Sequence, residues 1–264
     1  MVKVISSLQN PLIKNVLLLG EKPRARKDQN RIVIEGLREI RLAALSGFNI
    51  TDLFYCPALI NENDLGSLNF KPENVIEVSL DAFNRMAYRR DSGGIIALAE
   101  PRRLHLGDIH LRQHPLLLVL ETVEKPGNLG ALLRTADAAS LDAVIICDPQ
   151  TDIYNPNAIR SSIGCIFTMP VITTTSAEAM TWMRSEGINM FGTALTATSH
   201  YHEASYCPPS AIIMGSEATG LSNMWLEGAD YLIKIPMMGK IDSLNVSASA
   251  AIVIFEAMRQ RNFR

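Results

Sequence analysis

Two runs of five consecutive apolar residues constrain the fold of this chain more than any other feature. Residues 116–120 (Leu-Leu-Leu-Val-Leu) and 143–147 (Ala-Val-Ile-Ile-Cys) are short, and a segment of helical periodicity from about Asn128 to Ser140 separates them. Uninterrupted apolar runs are typical of parallel strands that are buried on both faces. The pattern therefore predicts an α/β fold with a mostly parallel sheet.

The same alternation of strands and helices extends over the rest of the chain. Further strands are predicted at residues 31–35, 53–55, 75–78, 95–99, 170–173, 189–194, 211–214 and 231–235, and further helices at 10–19, 37–45 and 245–260. The segment from Glu100 to Asp108 interrupts the periodicity. We therefore divide the chain into an N-terminal domain, residues 1–107, and a C-terminal domain, residues 108–264.

Composition indicates a globular protein of ordinary type. Of the 264 residues, 47% are apolar and 20% charged, and no apolar run approaches the roughly 18 residues of a membrane span. The first seven residues lack the apolar core of a signal peptide, so we expect a cytoplasmic protein. None of the four cysteines forms a CxxC pair, and His200 and His202 near Cys207 are more typical of a solvated loop than of a metal site. We expect no bound metal.

Positive charge is concentrated in the N-terminal domain. Residues 1–107 contain 15 basic and 12 acidic residues, against 10 and 15 in the remainder, although the whole chain has a formal charge of −2. The basic residues of one segment are candidates for contact with nucleic-acid phosphates: Lys22, Arg24, Arg26, Lys27 and Arg31. A solvated loop with no ligand is the alternative interpretation.

The first of three polar segments follows the strand at residues 116–120. Gly127 and Gly130 permit tight turns, and Asn128 is a candidate N-cap for the next helix. Arg134 lies almost two turns later, on nearly the same face as Asn128. A glycine loop with a surface arginine is the alternative, and the segment is no GxGxxG dinucleotide fingerprint.

Two more polar segments follow later strands. In residues 212–222, Gly215 permits close approach of backbone to a ligand, and a Ser222 N-cap leaves Glu217 unexplained. In residues 235–247, Ser243 and Asn245 are both plausible caps, although the last helix needs only one. Three strand-to-loop exits that meet at one sheet edge predict a cofactor pocket.

These three segments closely resemble the three motifs of the SpoU/TrmH branch of the SPOUT methyltransferases. The matching stretches are residues 128–136, 215–221 and 235–247, in the family's order and spacing. Residues 34–39 (Ile-Glu-Gly-Leu-Arg-Glu) are similar to part of the ribosomal-protein-L30e-like substrate-binding domain of many members. The chain departs from the family at Ala218, where many members have glycine.

The resemblance implies a C-terminal domain with a deep trefoil knot that holds S-adenosylmethionine. Gly215, Ile235 and Leu244 would contact this methyl donor mostly through backbone, with Thr193 and Ala194 as neighbours. Family members are homodimers with the site at the subunit interface. The implied reaction is methyl transfer to a ribose 2′-hydroxyl of ribosomal or transfer RNA.

The implied catalytic residues are those that match the motif positions: Asn128, Arg134, Glu217, Ser243 and Asn245. Because free arginine stays protonated, we interpret Arg134 as a group that orients an RNA phosphate or stabilises a developing 2′-oxyanion. Asn128 and Glu217 would position it, and Ser243 and Asn245 would orient the hydroxyl or shape the donor loop. Two alternatives remain at this point: a nucleotide-dependent oxidoreductase and a non-catalytic RNA-binding protein.

Overall fold

The computed structural model describes residues 3–68, 70–88 and 93–264, with Glu62 as backbone alone. Two compact units are present. The first comprises Met1–Arg102 with Asp152–Thr168, and the second comprises Arg103–Thr151 with Met169–Arg264. The packing of residues 152–168 with the first unit is a feature that sequence periodicity did not indicate. The domain bounds 1–107 and 108–264 stay a prediction.

The described residues form twelve strands and eleven α-helices. Up to residue 102 these are β1 (Lys3–Ile5), α1 (Pro11–Glu21), α2 (Pro23–Gln29), β2 (Ile32–Glu35), α3 (Leu37–Leu45), β3 (Ile50–Tyr55), α4 (Glu62–Gly66), β4 (Asn74–Val78), α5 (Leu80–Met86) and β5 (Ile95–Ala99). After residue 102 they are β6 (Leu116–Glu121), α6 (Pro126–Ala138), β7 (Ala143–Cys147), α7 (Pro156–Ser161), α8 (Cys165–Thr168), β8 (Val171–Thr174), α9 (Ser176–Ser185), β9 (Asn189–Thr193), β10 (Ser199–His200), β11 (Ser210–Met214), α10 (Asn223–Gly228), β12 (Tyr231–Lys234) and α11 (Val246–Gln260).

The first unit contains a mixed five-stranded sheet in the order β1-β4-β3-β5-β2. Strand β5 runs antiparallel to both of its neighbours, while β3, β4 and β1 are parallel. Its core packs α1 and α5 against one face, with Ile13, Phe54 and Phe83 fully buried. This unit is the separate α/β domain that the sequence predicts for the N-terminal region.

The second unit contains a seven-stranded sheet in the order β10-β12-β9-β11-β6-β7-β8. Every pairing in it is parallel, and all residues of β6 and β7 are buried, as the two apolar runs predict. The predicted fold class is confirmed. The carboxyl ends of β6, β11, β9 and β12 lie side by side, because Leu120 pairs with Met214, and Thr193 with Ile233.

Helix starts explain how two asparagines reach the edge formed by those strand ends. The prediction that Asn128 caps α6 is wrong, because Pro126 occupies the first turn and Lys125 is the N-cap residue. Asn128 therefore lies inside the first turn, with its side chain available for other partners. Asn245 does cap α11, since its Oδ1 accepts from the backbone N of Ser247 at 3.0 Å.

Helices α6 and α11 pack against each other through apolar residues. Across the sheet, Trp225 is fully buried and donates through Nε1 to Ser176 Oγ at 3.0 Å. Among the described residues, no helix combines the length and apolar character that crossing a bilayer requires.

Arg26 is a structural residue, which corrects its assignment to a phosphate-binding cluster. Its side chain is 3% exposed, and Nε donates to Asp152 Oδ2 at 2.6 Å. Nη1 donates to the carbonyl of Leu19, which lies in the last turn of α1 where carbonyls have no partner inside the helix. A buried guanidinium held by these contacts is not available to RNA.

We predict that Arg26→Met lowers the free energy of unfolding by about 2 kcal/mol, because the mostly buried Asp152 carboxylate then loses a charged hydrogen-bond partner. The matched control is Arg24→Met in the same helix, where the side chain is 93% exposed. An exposed pair contributes less than about 1 kcal/mol, so this control stays close to the original protein. Urea denaturation followed by circular dichroism provides the comparison. Equal midpoints for the two variants would contradict the structural role of Arg26.

Candidate functional site

The Glu217 carboxylate connects all three polar segments. Its Oε1 accepts from Asn128 Nδ2 at 2.6 Å and from Asn245 Nδ2 at 2.9 Å. The two asparagines also meet, since Asn245 Nδ2 lies 3.3 Å from Asn128 Oδ1. Residues separated by up to 117 positions in sequence thus converge on one carboxylate. The structure brings together these three of the five predicted catalytic residues.

Lys125 is a fourth member of this network that the sequence analysis missed. Its Nζ forms an ion pair and hydrogen bond with Glu217 Oε2. The bond from Lys125 is the main reason that the pKa of Glu217 lies below its usual value, and the bond from Asn128 adds to it. The same contact raises the pKa of Lys125. The available signal was its position immediately before the proline that starts α6, but a single lysine in a loop is too common to stand out.

The Gly215 loop needs glycine because two backbone segments touch there. Ser216 and Gly220 exchange backbone hydrogen bonds of 3.1 and 3.0 Å, which close residues 216–220 into a tight loop. A Cβ at Gly215 would lie 2.1 Å from the carbonyl carbon of Gly220. Gly220 has a φ of +69°, in the region that favours glycine. The loop thereby presents Glu217 beside the end of β11.

The predicted donor-binding residues follow adjacent strand ends. Thr193 ends β9, and its Oγ1 donates to the carbonyl of Ile213 at 2.9 Å. Ala194 N donates to the carbonyl of Ile233 at 3.0 Å, which ties the exit of β9 to β12. Ile235 directly follows β12, and Gly215 directly follows β11. These four residues therefore lie along one edge of the sheet.

The remaining predicted residues lie outside the hydrogen-bonded network. Ser243 is exposed and its Oγ lies 3.3 Å from Asp242 Oδ1. Leu244 is 37% exposed in the loop that precedes α11. Arg134 is exposed on α6, about 9 Å along the helix axis from Asn128 at 1.5 Å per residue. Within the described part of the chain, no hydrogen bond joins Arg134 to Glu217 or Asn245.

A narrow cleft adjoins the network and is lined in part by Glu121, Lys125, Asn128, Gly215 and Glu217. Its enclosed space is about 20 Å³, enough for one water molecule. The loop after β12 is open by contrast, with Met238 95% and Ile241 62% exposed. The exposed apolar side chains are suited to an uncharged ring or thioether-like chain.

The structure also places the two other groups of residues that the sequence analysis singled out. His200, His202 and Glu203 offer ligand atoms within 4.8 Å of one another. However, Glu203 Oε2 accepts from the backbone N of His200 at 2.7 Å, an arrangement that a helical turn explains. In the first unit, Lys22, Arg24 and Lys27 are exposed, whereas Arg31 pairs with Asp52 at 3.1 Å.

Comparison with known proteins gives the family. A model described as the SpoU rRNA methylase family matches residues 115–255, and one described as an MRM3-like substrate binding domain matches residues 10–97. The 23S rRNA (guanosine-2′-O-)-methyltransferase RlmB of Vibrio parahaemolyticus is 38% identical over 75% of this chain and 82% of its own length.

Solved structures agree over nearly the whole chain. A crystal structure described as an RNA 2′-O ribose methyltransferase is 36% identical, with a TM-score of 0.86 over 98% of this chain and 99% of the other. The AdoMet-bound rRNA methyltransferase of Sinorhizobium meliloti is 29% identical, with a TM-score of 0.88 over 98% of each chain. The chain therefore belongs to the SpoU rRNA methylase family.

Proposed function

We propose that this protein transfers a methyl group from S-adenosylmethionine to a ribose 2′-hydroxyl of ribosomal RNA. The observation that carries the proposal is the convergence of Asn128, Glu217 and Asn245, one from each motif, in a single hydrogen-bonded network. The relatives named as 23S rRNA 2′-O-methyltransferases support ribosomal over transfer RNA. The relatives reported above are methyltransferases, and the sequence has no GxGxxG fingerprint of the kind an oxidoreductase would need.

The residues at the sheet edge fit S-adenosylmethionine as the donor. The exits of β9, β11 and β12, at Thr193–Ala194, Gly215 and Ile235, offer backbone groups side by side. Leu244 and the exposed loop before it offer apolar contact. When bound, the donor supplies an electrophilic methyl group on a sulfonium. The donor site stays a proposal, as does the expectation that no metal is needed.

The chain's own residues must supply alignment and charge, because a ribose hydroxyl is a weak nucleophile. Arg134 is exposed and free to contact a polynucleotide, and a permanent cation there would orient a phosphate or stabilise a developing 2′-oxyanion. Glu217 accepts hydrogen bonds from the amides of Asn128 and Asn245, which fixes the positions of these two short side chains beside the cleft. Ser243 lies two residues from Asn245 and would contact the incoming ribose.

Exposed basic residues in α2 and at its N-cap position would contact the phosphates of the RNA backbone. This role is retained by Lys22, Arg24 and Lys27, which are exposed. Burial excludes Arg26 from it. The charge of Arg31 is partly neutralised by Asp52. Phosphate contacts position an RNA without reading its sequence.

We also propose a homodimer and a trefoil knot in the C-terminal domain, both implied by the family. A cytoplasmic location stays a prediction.

We predict that the purified protein forms 2′-O-methylnucleosides in an unmodified 23S rRNA transcript supplied with S-adenosylmethionine.

Arg134→Ala should retain donor binding and lose at least about a hundredfold in the rate of methyl transfer, as removal of an oxyanion-stabilising group does. Arg184→Ala, an α9 side chain outside the site, is the matched control. Nuclease digestion with mass spectrometry identifies the product.

Two outcomes would count against this account separately. Donor binding without any ribose methylation by the unaltered protein would favour the non-catalytic RNA-binding alternative. A fully active Arg134→Ala variant would remove only the role given to Arg134.

We further predict that Gly215→Ala weakens donor binding at least about tenfold, a difference of about 1.4 kcal/mol. The added Cβ would meet backbone atoms of Gly220 and force the loop to move. Gly107→Ala is the matched control, since nothing lies within 4 Å of its added Cβ and it lies outside the three motif loops. Calorimetry with S-adenosylmethionine measures both. Wild-type affinity in a folded Gly215→Ala protein would refute the assignment of this loop to the donor.

A further inference from the structure

A second cavity, of about 320 Å³, lies in the first unit and plays no part in the site described above. It opens where β2 ends and α3 begins, and α7 forms another wall. Its polar lining consists of Glu35, Arg38, Glu39, Tyr88 and Arg160. Arg160 comes from the segment 152–168, which lies within the range of the methylase model but packs with the N-terminal unit.

Arg160 has hydrogen-bonding capacity that the described residues of this chain do not use. Its Nη2 donates to Asn157 Oδ1 at 2.9 Å. Its Nε and Nη1 are buried and have no hydrogen-bond partner in the part of the chain that the structure describes. Unsatisfied buried donors are uncommon in native proteins because each costs free energy. Among the described residues, these two donors are therefore left without an acceptor.

Tyr88 and Arg160 together form a stacked pair. The guanidinium carbon of Arg160 lies over the Tyr88 ring, 5.6 Å from its centroid. Tyr88 is nevertheless 59% exposed. Its backbone N donates to Glu35 Oε2 at 2.8 Å, which fixes the backbone at the cavity, while the Arg160 guanidinium holds the ring. An aromatic ring that is held in place and still exposed is a typical platform for an unpaired base.

We propose that this cavity receives one unpaired nucleotide of the RNA, with its base stacked on Tyr88 and its phosphate near Arg38. Arg38 is exposed at the start of α3 and supplies the positive charge for that phosphate. The carboxylate of Glu39 lines the same cavity and supplies an acceptor for an amino or imino group of a base. The inference rests on the proposed function for the identity of the RNA, but the stacking contact itself does not depend on catalysis.

The test compares Tyr88→Leu, which removes the aromatic face, with Tyr88→Phe, which keeps it. We expect Tyr88→Leu to raise the dissociation constant for an unmodified 23S rRNA transcript about tenfold, as loss of one stacked base does. Tyr88→Phe should bind like the original protein. Arg85→Met, an exposed α5 residue outside the cavity lining, controls for general loss of charge or fold. Filter binding with the full-length protein measures all four proteins.

Two further measurements separate the possible failures. Binding of S-adenosylmethionine should be unchanged in every variant, and Arg160→Gln should weaken RNA binding in the same direction as Tyr88→Leu. Unchanged RNA affinity of Tyr88→Leu would overturn the inference, whether or not the original protein binds free AMP, GMP, CMP or UMP at micromolar concentration. If the unaltered protein methylates no ribose, the proposed function fails, yet the Tyr88 comparison still decides whether this cavity binds RNA.

Discussion

The Glu217 carboxylate is the interaction on which the site depends. Three donors from two separate segments, Lys125 and Asn128 on one side and Asn245 on the other, converge on its two oxygens. Hydrogen bonds to a charged acceptor are stronger than neutral ones, so the carboxylate holds the start of α6 against the start of α11. Packing of α6 on α11 extends the same contact into the core. The electrostatic contact and the apolar contact therefore support one arrangement of the three motif loops.

Much of this arrangement was predictable because parallel strands leave a strong pattern. The apolar runs of β6 and β7 place buried strands, and the exits of parallel strands share one edge. Glu217 stood out because helix capping explains Ser222 and leaves a carboxylate without a structural role. Family resemblance added what periodicity lacks, namely the donor, the reaction and the identification of Arg134. The roles of individual residues stay proposals until they are tested.

Other features were not predictable, because they depend on contacts distant in sequence. Arg26 lies in a basic segment, and its sequence context is that of a phosphate ligand. In the structure it is buried and pairs with Asp152, which lies 126 residues later. Lys125 became part of the site only because Glu217 lies next to it in space. The prediction that Asn128 caps α6 was wrong by about one helical turn, because α6 begins at Pro126, earlier than periodicity indicates. Local patterns identify elements, whereas the partners of charged groups depend on the assembled fold.

The central claim is that three loops form a single donor-binding site around Glu217. Hydrogen–deuterium exchange of the full-length protein, with and without saturating S-adenosylmethionine, tests it most directly. The account predicts that the donor slows exchange together in residues 124–130, 214–221 and 235–246, and leaves the β7–β8 edge unchanged. Protection confined to one of these segments, or found mainly elsewhere in the protein, would contradict it.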